Sequence, residues 1–372
     1  MVLKKQTVVV GMSGGVDSSV SALLLKELGY HVIGLFMKNW EEKDALGQCL
    51  ATKDYEDVAK VCDKLDIPYY SVNFIDQYQD LVFHHFVKEL KAGYTPNPDI
   101  LCNREIKFHV FLEKALSLGA DYLATGHYAQ MHAQPNGVSL LKGTDPDKDQ
   151  SYFLYTLKSE TLKKVLFPIG HLPKKEVRAL AAKAGLSTAE KKDSTGICFI
   201  GKRNFKQFIS GYIPYQRGSF VTLSGKVVGT HDGAAYYTIG QRKGLAIGGP
   251  GDAWFVVGKD MENNLVLVAQ GEDHPALYAD ELIATEASWV VGPPSHFPYV
   301  CKAKIRYRQQ DQDCVIEKVE NDTLWVRFPK PQRAITPRQS IVFYEGNRCL
   351  GGAMIQSPGR SYYEQQKNLP NL

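Results

Sequence analysis

The sequence predicts an α/β protein in which a Rossmann-like, doubly wound parallel sheet is followed by a small central domain and a C-terminal antiparallel domain resembling a β-barrel. The first 125 residues alternate between strand and helix patterns, which is typical of βαβ units and a parallel sheet. After about Asn204, short strand patterns separated by turn residues recur, as they do in antiparallel sheets and barrels. We therefore predict three domains that cover residues 1–204, 205–275 and 276–372.

Eight elements of the first part follow from hydrophobic periodicity and from the turn residues that end each run. The predicted strands are Thr7–Val10, His31–Met37, Tyr69–Asn73 and Asp121–Ala124, and the predicted helices are Asp17–Leu28, Asp54–Leu65, Ile75–Leu90 and Arg104–Leu118. A hairpin turn at 135–137 and two short helices near 159–165 and 174–184 come next. Ligands of such sheets bind at the carboxyl ends of the strands, so the loops there form the candidate site.

The composition is that of a soluble globular chain, with 44% hydrophobic and 23% charged residues. No apolar run approaches the roughly 20 residues that cross a bilayer, and no secretory signal is present, so we expect a cytoplasmic protein without membrane contact. Seven cysteines without a C-x-x-C pair argue against a disulfide framework and against a structural zinc site. From Val300 to Leu372 there are 12 Lys and Arg against 7 Asp and Glu, which fits a polyanionic partner or a solvated basic surface equally well.

The segment that joins the first strand to the first helix reads Gly11-Met12-Ser13-Gly14-Gly15-Val16-Asp17-Ser18-Ser19. Gly14 and Gly15 allow a positive φ and a close backbone approach, and the amides at a helix N-terminus favour an anion. We expect the Asp17 carboxylate to cap this helix. The spacing matches neither G-x-x-x-x-G-K-[ST] nor G-x-G-x-x-G. The segment resembles the PP-loop of the N-type ATP pyrophosphatases, which cleave ATP between the α- and β-phosphates; the alternative is a tight turn without a ligand.

Two of the seven cysteines have unusual settings. Cys102 follows the prolines of 95–98, which predict a rigid, non-helical approach, and we expect Asn103 to cap the helix that follows. A thiol just ahead of a helix N-terminus is shifted towards its thiolate form. Cys198 lies in the turn-prone segment 193–201. Taken alone, each cysteine fits a buried packing role better than a reactive one.

Taken together and in order, these motifs make the chain resemble the tRNA-specific 2-thiouridylase family over essentially its whole length. The matching segments are GMSGGVDSSV at 11–20, Asn97-Pro98-Asp99 with Cys102-Asn103, Thr125-Gly126-His127-Tyr128, DKDQSY at 147–152, Asp193-Ser194 with Ile197-Cys198-Phe199, and TIGQRKG at 238–244. Ordered agreement across six segments is far more specific than any one of them.

The resemblance implies an ATP- and Mg²⁺-dependent enzyme that replaces O2 of the wobble uridine, position 34 of tRNA, with sulfur. Adenylation of that oxygen turns it into a leaving group, and 2-thiouridine, AMP and pyrophosphate are formed. The sulfur is a persulfide on Cys198, supplied by a cysteine desulfurase or a sulfur-relay protein. Cys102 completes the transfer and leaves a Cys102–Cys198 disulfide that must be reduced. Asp99 is a candidate for accepting or passing a proton at the uracil.

The resemblance also implies contacts residue by residue. The residues implied for ATP are Gly11, Met12, Ser13, Gly14, Gly15, Val16, Asp17, Ser18, Met37 and Gly126. The residues implied for tRNA are Asn97, Pro98 and Asp99 at the target base, and His127, Lys148, Asp149, Gln150, Arg306, Tyr307 and Gln339 elsewhere. Without the resemblance, we would interpret Arg306 and Tyr307 as part of an exposed barrel strand and not as tRNA contacts.

Two other function classes remain open at this point. A different PP-loop enzyme, such as an amidotransferase-linked synthetase or a tRNA lysidine synthetase, would adenylate a substrate and admit an amine, and it would need neither Cys102 nor Cys198. A non-enzymatic RNA-binding module that keeps a nucleotide site for regulation would bind ATP without releasing AMP.

Overall fold

A computed structural model describes residues 5–41, 50–193 and 205–370. Cys198 and the rest of 194–204 lie outside the described residues, as do 42–49. Seven strands belong to the first part of the chain: β1 Thr7–Met12, β2 His31–Lys38, β3 Tyr69–Asn73, β4 Tyr122–Ala124, β5 Ala129–Gln134, β6 Gly137–Lys142 and β7 Val165–Leu166. Five of them form a parallel sheet in the order β3-β2-β1-β4-β7. The parallel sheet predicted from the strand–helix alternation is confirmed.

Helices cover both faces of this sheet. The regular ones are α1 Val16–Glu27, α2 Leu50–Leu65, α5 Ser159–Leu162, α6 Lys174–Lys183 and α7 Phe205–Ser210. Two longer helices each contain a π-helical stretch: α3 runs through Ile75–Tyr78, Gln79–Phe83 and His84–Lys91, and α4 runs through Pro98–Leu101, Cys102–Val110 and Phe111–Ser117. Short 3₁₀ turns are Ser151–Phe153, Ala234–Tyr236 and Pro275–Leu277. In the described part of the chain, no helix is long and apolar enough to cross a membrane.

The central domain is built on a four-stranded sheet. Its strands are β8 Gly218–Thr222, β9 Val227–His231, β10 Trp254–Asp260 and β11 Leu265–Gln270, in the order β10-β11-β8-β9. The pairing of β8 with β11 is parallel, and the other two pairings are antiparallel. Phe220, Val256, Val266 and Val268 fill its apolar side together with Tyr237.

The C-terminal domain is a closed barrel. Its strands are β12 Tyr278–Trp289, β13 Tyr299–Lys304, β14 Gln312–Glu320, β15 Thr323–Arg333, β16 Ser340–Glu345 and β17 Arg348–Pro358. They follow the order β12-β15-β14-β13-β16-β17, and the antiparallel pairing of β12 with β17 closes the circle. The hairpin β5–β6, which the turn at 135–137 predicts, adds to this barrel sheet because β6 pairs with β17 through Leu140 and Leu141. The barrel is therefore attached to the first part of the chain by backbone hydrogen bonds.

The tail after Pro358 packs back onto the rest of the molecule. The amide of Gly359 donates to the carbonyl of Glu281 at 2.7 Å, and that of Tyr362 donates to the carbonyl of Tyr278 at 2.9 Å. The side chains of Tyr362 and Leu369 pack on an apolar cluster shared by the central domain and the barrel. The tail therefore forms part of the junction between these two domains.

Candidate active site

The loop between β1 and α1 has the shape of an anion cradle. Gly14 has φ +72°, and a Cβ atom there would lie 2.6 Å from the carbonyl oxygen of Asp54, so only glycine fits. Gly15 is the residue before α1, and no side chain caps the helix. The amides of its first turn are therefore left without a side-chain acceptor, which suits a phosphate group. Ser18 braces the loop, since its Oγ accepts from the amide of Ser13 at 3.2 Å and donates to the carbonyl of Gly15 at 3.1 Å.

The other residues implied for ATP lie at the same edge of the sheet. Gly11 and Met12 end β1, Met37 is near the end of β2, and Gly126 follows β4. A Cβ atom on Gly126 would lie 2.8 Å from the amide nitrogen of Ser18, so the loop after β4 packs directly on the first turn of α1. The fold thus brings these residues together at the carboxyl ends of three neighbouring strands. Their contacts with ATP stay a prediction.

Asp17 lies in the first turn of α1, but it does not act as the cap that the sequence suggests. Its Oδ1 accepts from the Tyr128 hydroxyl at 2.7 Å, and both of its carboxylate oxygens accept from the Lys174 ammonium at 2.8 Å. Burial, followed by the charge of Asp17, raises the pKa of Tyr128 far above its usual value, so the phenol keeps its proton. The carboxylate is thus held by side chains rather than by helix amides. Neither Lys174 nor a role for Tyr128 was predicted from the sequence.

Asp193 binds three cations and completes what we call the Asp17–Asp193 cluster, consisting of Asp17, Lys148, Lys174, Arg178 and Asp193. Its carboxylate lies 2.8 Å from a nitrogen of each of the three basic side chains. Burial alone would raise the pKa of Asp193, but hydrogen bonds from Lys148 and Lys174 outweigh it and bring the pKa to about 2. Asp193 is the last described residue before the segment that contains Cys198. The cluster therefore connects the nucleotide loop to the chain leading to that cysteine.

The helix that carries Cys102 begins earlier than predicted. Asn97 is its cap, accepting from the amide of Asp99 through Oδ1 at 3.2 Å, and Pro98 occupies the first helical position, where a missing N–H costs nothing. The expected cap at Asn103 is wrong, because that side chain donates to the carbonyl of Phe153 instead. Cys102 is thus fully buried in the second helical turn, where the dipole acts more weakly than at the terminus.

Three parts of the molecule meet just before this helix. The hydroxyl of Thr95 donates to that of Thr238 in the central domain at 3.3 Å, and the Gln339 side chain of the barrel donates to the Thr95 carbonyl at 2.5 Å. Thr95, two residues before Asn97, is consequently anchored to both later domains. Asn97 and Asp99 are half-buried, and Pro98 is buried.

Several residues implied for tRNA are engaged within the protein. His127 is buried beside Phe108 and Phe167, its Nδ1 lies 2.8 Å from the Thr125 hydroxyl, and burial holds its pKa well below the usual value. The imidazole is therefore neutral. Gln150 accepts from the amide of Tyr128 at 2.9 Å through its side-chain oxygen.

Arg306 and Tyr307 follow β13 and are not part of an exposed strand, which corrects the simpler interpretation of these two residues. The Arg306 Nη2 donates to the carbonyl of Ala334 at 2.7 Å, which joins it to the barrel beside the central-domain loop at Ile239. The Tyr307 ring lies 4.3 Å from that of Phe153. Asp149 is buried as well, accepting from the amides of Gly143 and Ser151 at 3.0 and 3.1 Å. The tRNA contacts of all these residues stay predictions.

Three protein-family models match successive parts of the chain, which correspond to the three parts of the fold. Residues 6–202 match the tRNA methyl transferase HUP domain, residues 206–270 the tRNA methyl transferase PRC-barrel domain, and residues 279–355 the aminomethyltransferase beta-barrel domain. Among solved structures, a 4-thiouridine synthetase–RNA complex with bound ATP aligns at 14% identity and TM-score 0.35, covering 56% of this chain and 50% of that one. That likeness is too low to carry an argument about function.

Curated relatives are far closer. A protein of Protochlamydia amoebophila named tRNA-specific 2-thiouridylase MnmA is 63% identical over 99% of this chain and 98% of its own length. Proteins of the same name from Halalkalibacterium halodurans and Alkaliphilus oremlandii are 58% and 57% identical, over 94% and 95% of this chain and 94% and 97% of their own lengths. With near-complete coverage on both sides and all six motifs in place, the chain belongs to the tRNA-specific 2-thiouridylase family of enzymes.

Proposed function

We propose that this enzyme uses ATP to replace O2 of the wobble uridine, position 34 of tRNA, with sulfur. The observation that carries the proposal is the uncapped start of α1 behind Gly14 and Gly15, in a chain that shares the family's two cysteine motifs. A phosphate cradle without the lysine of a Walker loop suits cleavage of ATP between the α- and β-phosphates better than transfer of the γ-phosphate.

The first step in this proposal is adenylation of uracil O2, which gives pyrophosphate and leaves AMP as the group to be displaced. The first-turn amides of α1 hold the phosphates, and Gly126 lets the loop after β4 approach them closely. The described residues contain no group of three or more His, Cys, Asp or Glu side chains that could bind a metal. Mg²⁺ is commonly held largely by substrate phosphates. Both oxygens of Asp17, the carboxylate at this loop, accept from Lys174, so the phosphates of ATP would be the main ligands of the ion.

The second step is sulfur transfer. The terminal sulfur of a persulfide on Cys198 attacks C2 of the adenylated uracil, and AMP leaves. The Cys102 thiolate then attacks the inner sulfur of that persulfide, so that the S–S bond breaks, the terminal sulfur stays on C2 as the thiocarbonyl, and a Cys102–Cys198 disulfide forms. If Cys102 attacks first, sulfide is released and becomes the nucleophile, with the same disulfide as product. A thiol reductant returns both cysteines to the starting state.

The rest of the site binds RNA in this proposal. Asn97, Pro98 and Asp99 contact the flipped wobble base, with Asp99 handling its proton, and a persulfide-donating protein such as a cysteine desulfurase or a sulfur relay loads Cys198. A segment held by both Thr238 and Gln339 suits the recognition of a single base, because specificity needs rigidly placed groups.

The test is to incubate the enzyme with ATP, a tRNA carrying an unmodified wobble uridine, and a persulfide donor. We expect the Cys198→Ala enzyme to bind ATP and tRNA yet yield no 2-thiouridine by mass spectrometry of the digested tRNA. A Cys62→Ala enzyme, which changes a buried cysteine of α2, serves as the control and should retain thiolation. Persistent 2-thiouridine with Cys198→Ala would contradict the sulfur route, and incorporation of an amine in place of sulfur would favour the synthetase alternative.

A further inference from the structure

Lys174 occupies an unusual position for a lysine. Its ammonium lies 2.8 Å from both carboxylate oxygens of Asp17 and 2.8 Å from Oδ1 of Asp193, and only 11% of its side chain is exposed. The fold brings it across 157 positions of sequence to the first turn of α1. A buried cation is thereby placed at the end of the helix that is built to receive an anion.

The requirements of the fold do not explain this placement. Asp193 already has Lys148 and Arg178 at 2.8 Å, and Asp17 already accepts from the Tyr128 hydroxyl. A buried ion pair contributes little net stability relative to apolar side chains of similar volume. Lys174 is the one described cation that binds both carboxylates, and it does so beside the uncapped helix start.

We propose that Lys174 is a nucleotide-binding residue whose ammonium contacts the pyrophosphate portion of ATP, while Asp193 keeps the side chain oriented. The inference rests on the proposed function and adds a residue to its nucleotide site. Without this ammonium, the Asp17 carboxylate would face the β- and γ-phosphates directly and repel them, since like charges at short range are costly. When one of its three contacts to carboxylate oxygens is exchanged for a phosphate oxygen, the ammonium donates a charge-assisted hydrogen bond to the leaving group.

This arrangement predicts a selective loss of affinity. The Lys174→Met enzyme should bind pyrophosphate and α,β-methylene-ATP at least about tenfold more weakly, because one charge-assisted contact to phosphate is lost. Its affinity for AMP should stay within about twofold of the native value, because AMP lacks the phosphates that Lys174 contacts. Lys174→Arg, which keeps the charge, should recover part of the loss. Lys175→Met is the matched control: it removes the exposed neighbouring lysine of α6 and should change nothing.

Isothermal titration with each ligand decides the matter, and circular dichroism checks that each variant is folded. Equal binding of pyrophosphate by the native and Lys174→Met enzymes would overturn the inference and leave the proposed function standing. An equal loss of AMP and pyrophosphate affinity in both Lys174 variants would assign Lys174 to the structure of the loop, which also overturns it. A native enzyme that binds none of the three ligands would contradict the proposed function itself, and the inference with it.

Discussion

Two clusters of charged side chains lie in different surroundings, although each contains one of the neighbouring residues Lys148 and Asp149. Lys148 belongs to the Asp17–Asp193 cluster at the edge of the parallel sheet, whereas Asp149 points into a second cluster with Lys304, under the barrel. In the first, the Asp193 side chain is 31% exposed and an uncapped helix start lies alongside; in the second, Asp149 is 4% exposed. Since the central lysines Lys174 and Lys304 are equally buried, we infer a ligand-binding role for the first cluster from the open backbone amides beside it, and a structural role for the second from the buried Asp149.

The second cluster, which we call the barrel cluster, consists of Lys142, Asp149, Lys304, Asp311 and Tyr344. Lys304 lies 3.6 Å from Asp149 and 3.8 Å from Asp311, and Lys142 also pairs with Asp311. Both ammonium groups lie over the Tyr344 ring, at 4.3 and 5.4 Å from its centre. Since Lys142 ends β6 and Lys304 ends β13, the cluster holds the hairpin of the first part against the barrel.

The largest effect that we predict is on stability, from removal of Asp149. Asp149→Ala removes the nearer of the two carboxylates paired with the buried Lys304, leaving the more distant Asp311, and it deprives two backbone amides of their acceptor. We expect a loss of about 3–5 kcal/mol, the usual cost of breaking a buried ion pair. In thermal unfolding this corresponds to a fall in Tm of about 10 °C or more.

The control for this change is Asp147→Ala, which removes an exposed carboxylate from the same loop and should leave Tm within about 2 °C. An Asp149→Ala enzyme that kept its Tm but lost tRNA affinity would contradict the structural role that we assign to Asp149. It would assign Asp149 to RNA binding, as the resemblance implies, and not to the barrel cluster.

The next effect is on catalysis, from the Asp17–Asp193 cluster. Asp17→Asn keeps the shape of the side chain but removes the charge that holds the Lys174 ammonium at the nucleotide loop, so we expect AMP formation to fall by about 100-fold, the scale for the loss of one preorganised polar group of an active site. Tm should change by only a few degrees, because the cluster is partly solvated. Glu27→Gln, at the exposed far end of α1, is the matched control. AMP formation at the native rate with Asp17→Asn would contradict a role of the Asp17–Asp193 cluster in catalysis.

Acid should remove the stabilising effect of Asp193 in the Asp17–Asp193 cluster. Because its pKa in the folded protein is about 2, below the ordinary 3.8, the carboxylate stabilises the fold above pH 3.8, and this contribution is lost as the pH falls towards 2. After allowance for its partial exposure we expect about 1–2 kcal/mol. Urea unfolding of the native and Asp193→Asn proteins should therefore differ at pH 6 and converge near pH 2. A difference that stayed constant over this range would argue against the low pKa.

Local patterns predicted local structure well, and contacts between distant residues accounted for most of what was missed. The nucleotide loop and the strand–helix alternation could be predicted from nearby residues, because each depends on backbone geometry within a few residues. Helix α4 was predicted to begin at Arg104 because the two prolines were taken to break it, whereas Pro98 starts it. The approach of Lys174 to Asp17 depends on the folded sheet, since 157 positions separate them and nothing near either one marks the other.

The smallest effect that we predict comes from Arg306, which lies at the junction of the barrel and the central domain and belongs to neither cluster. If its guanidinium neutralises a tRNA phosphate, Arg306→Met should lower the slope of log affinity against log salt by about 0.7–0.9, the change for one contact. If it acts only by holding the carbonyl of Ala334, affinity should fall equally at every salt concentration and the slope should not change. Lys330→Met, which removes one exposed charge from β15, provides the reference for a general loss of charge. A changed slope would place Arg306 with the ligand-binding charges of the Asp17–Asp193 cluster, and an unchanged slope would place it with the structural charges of the barrel cluster.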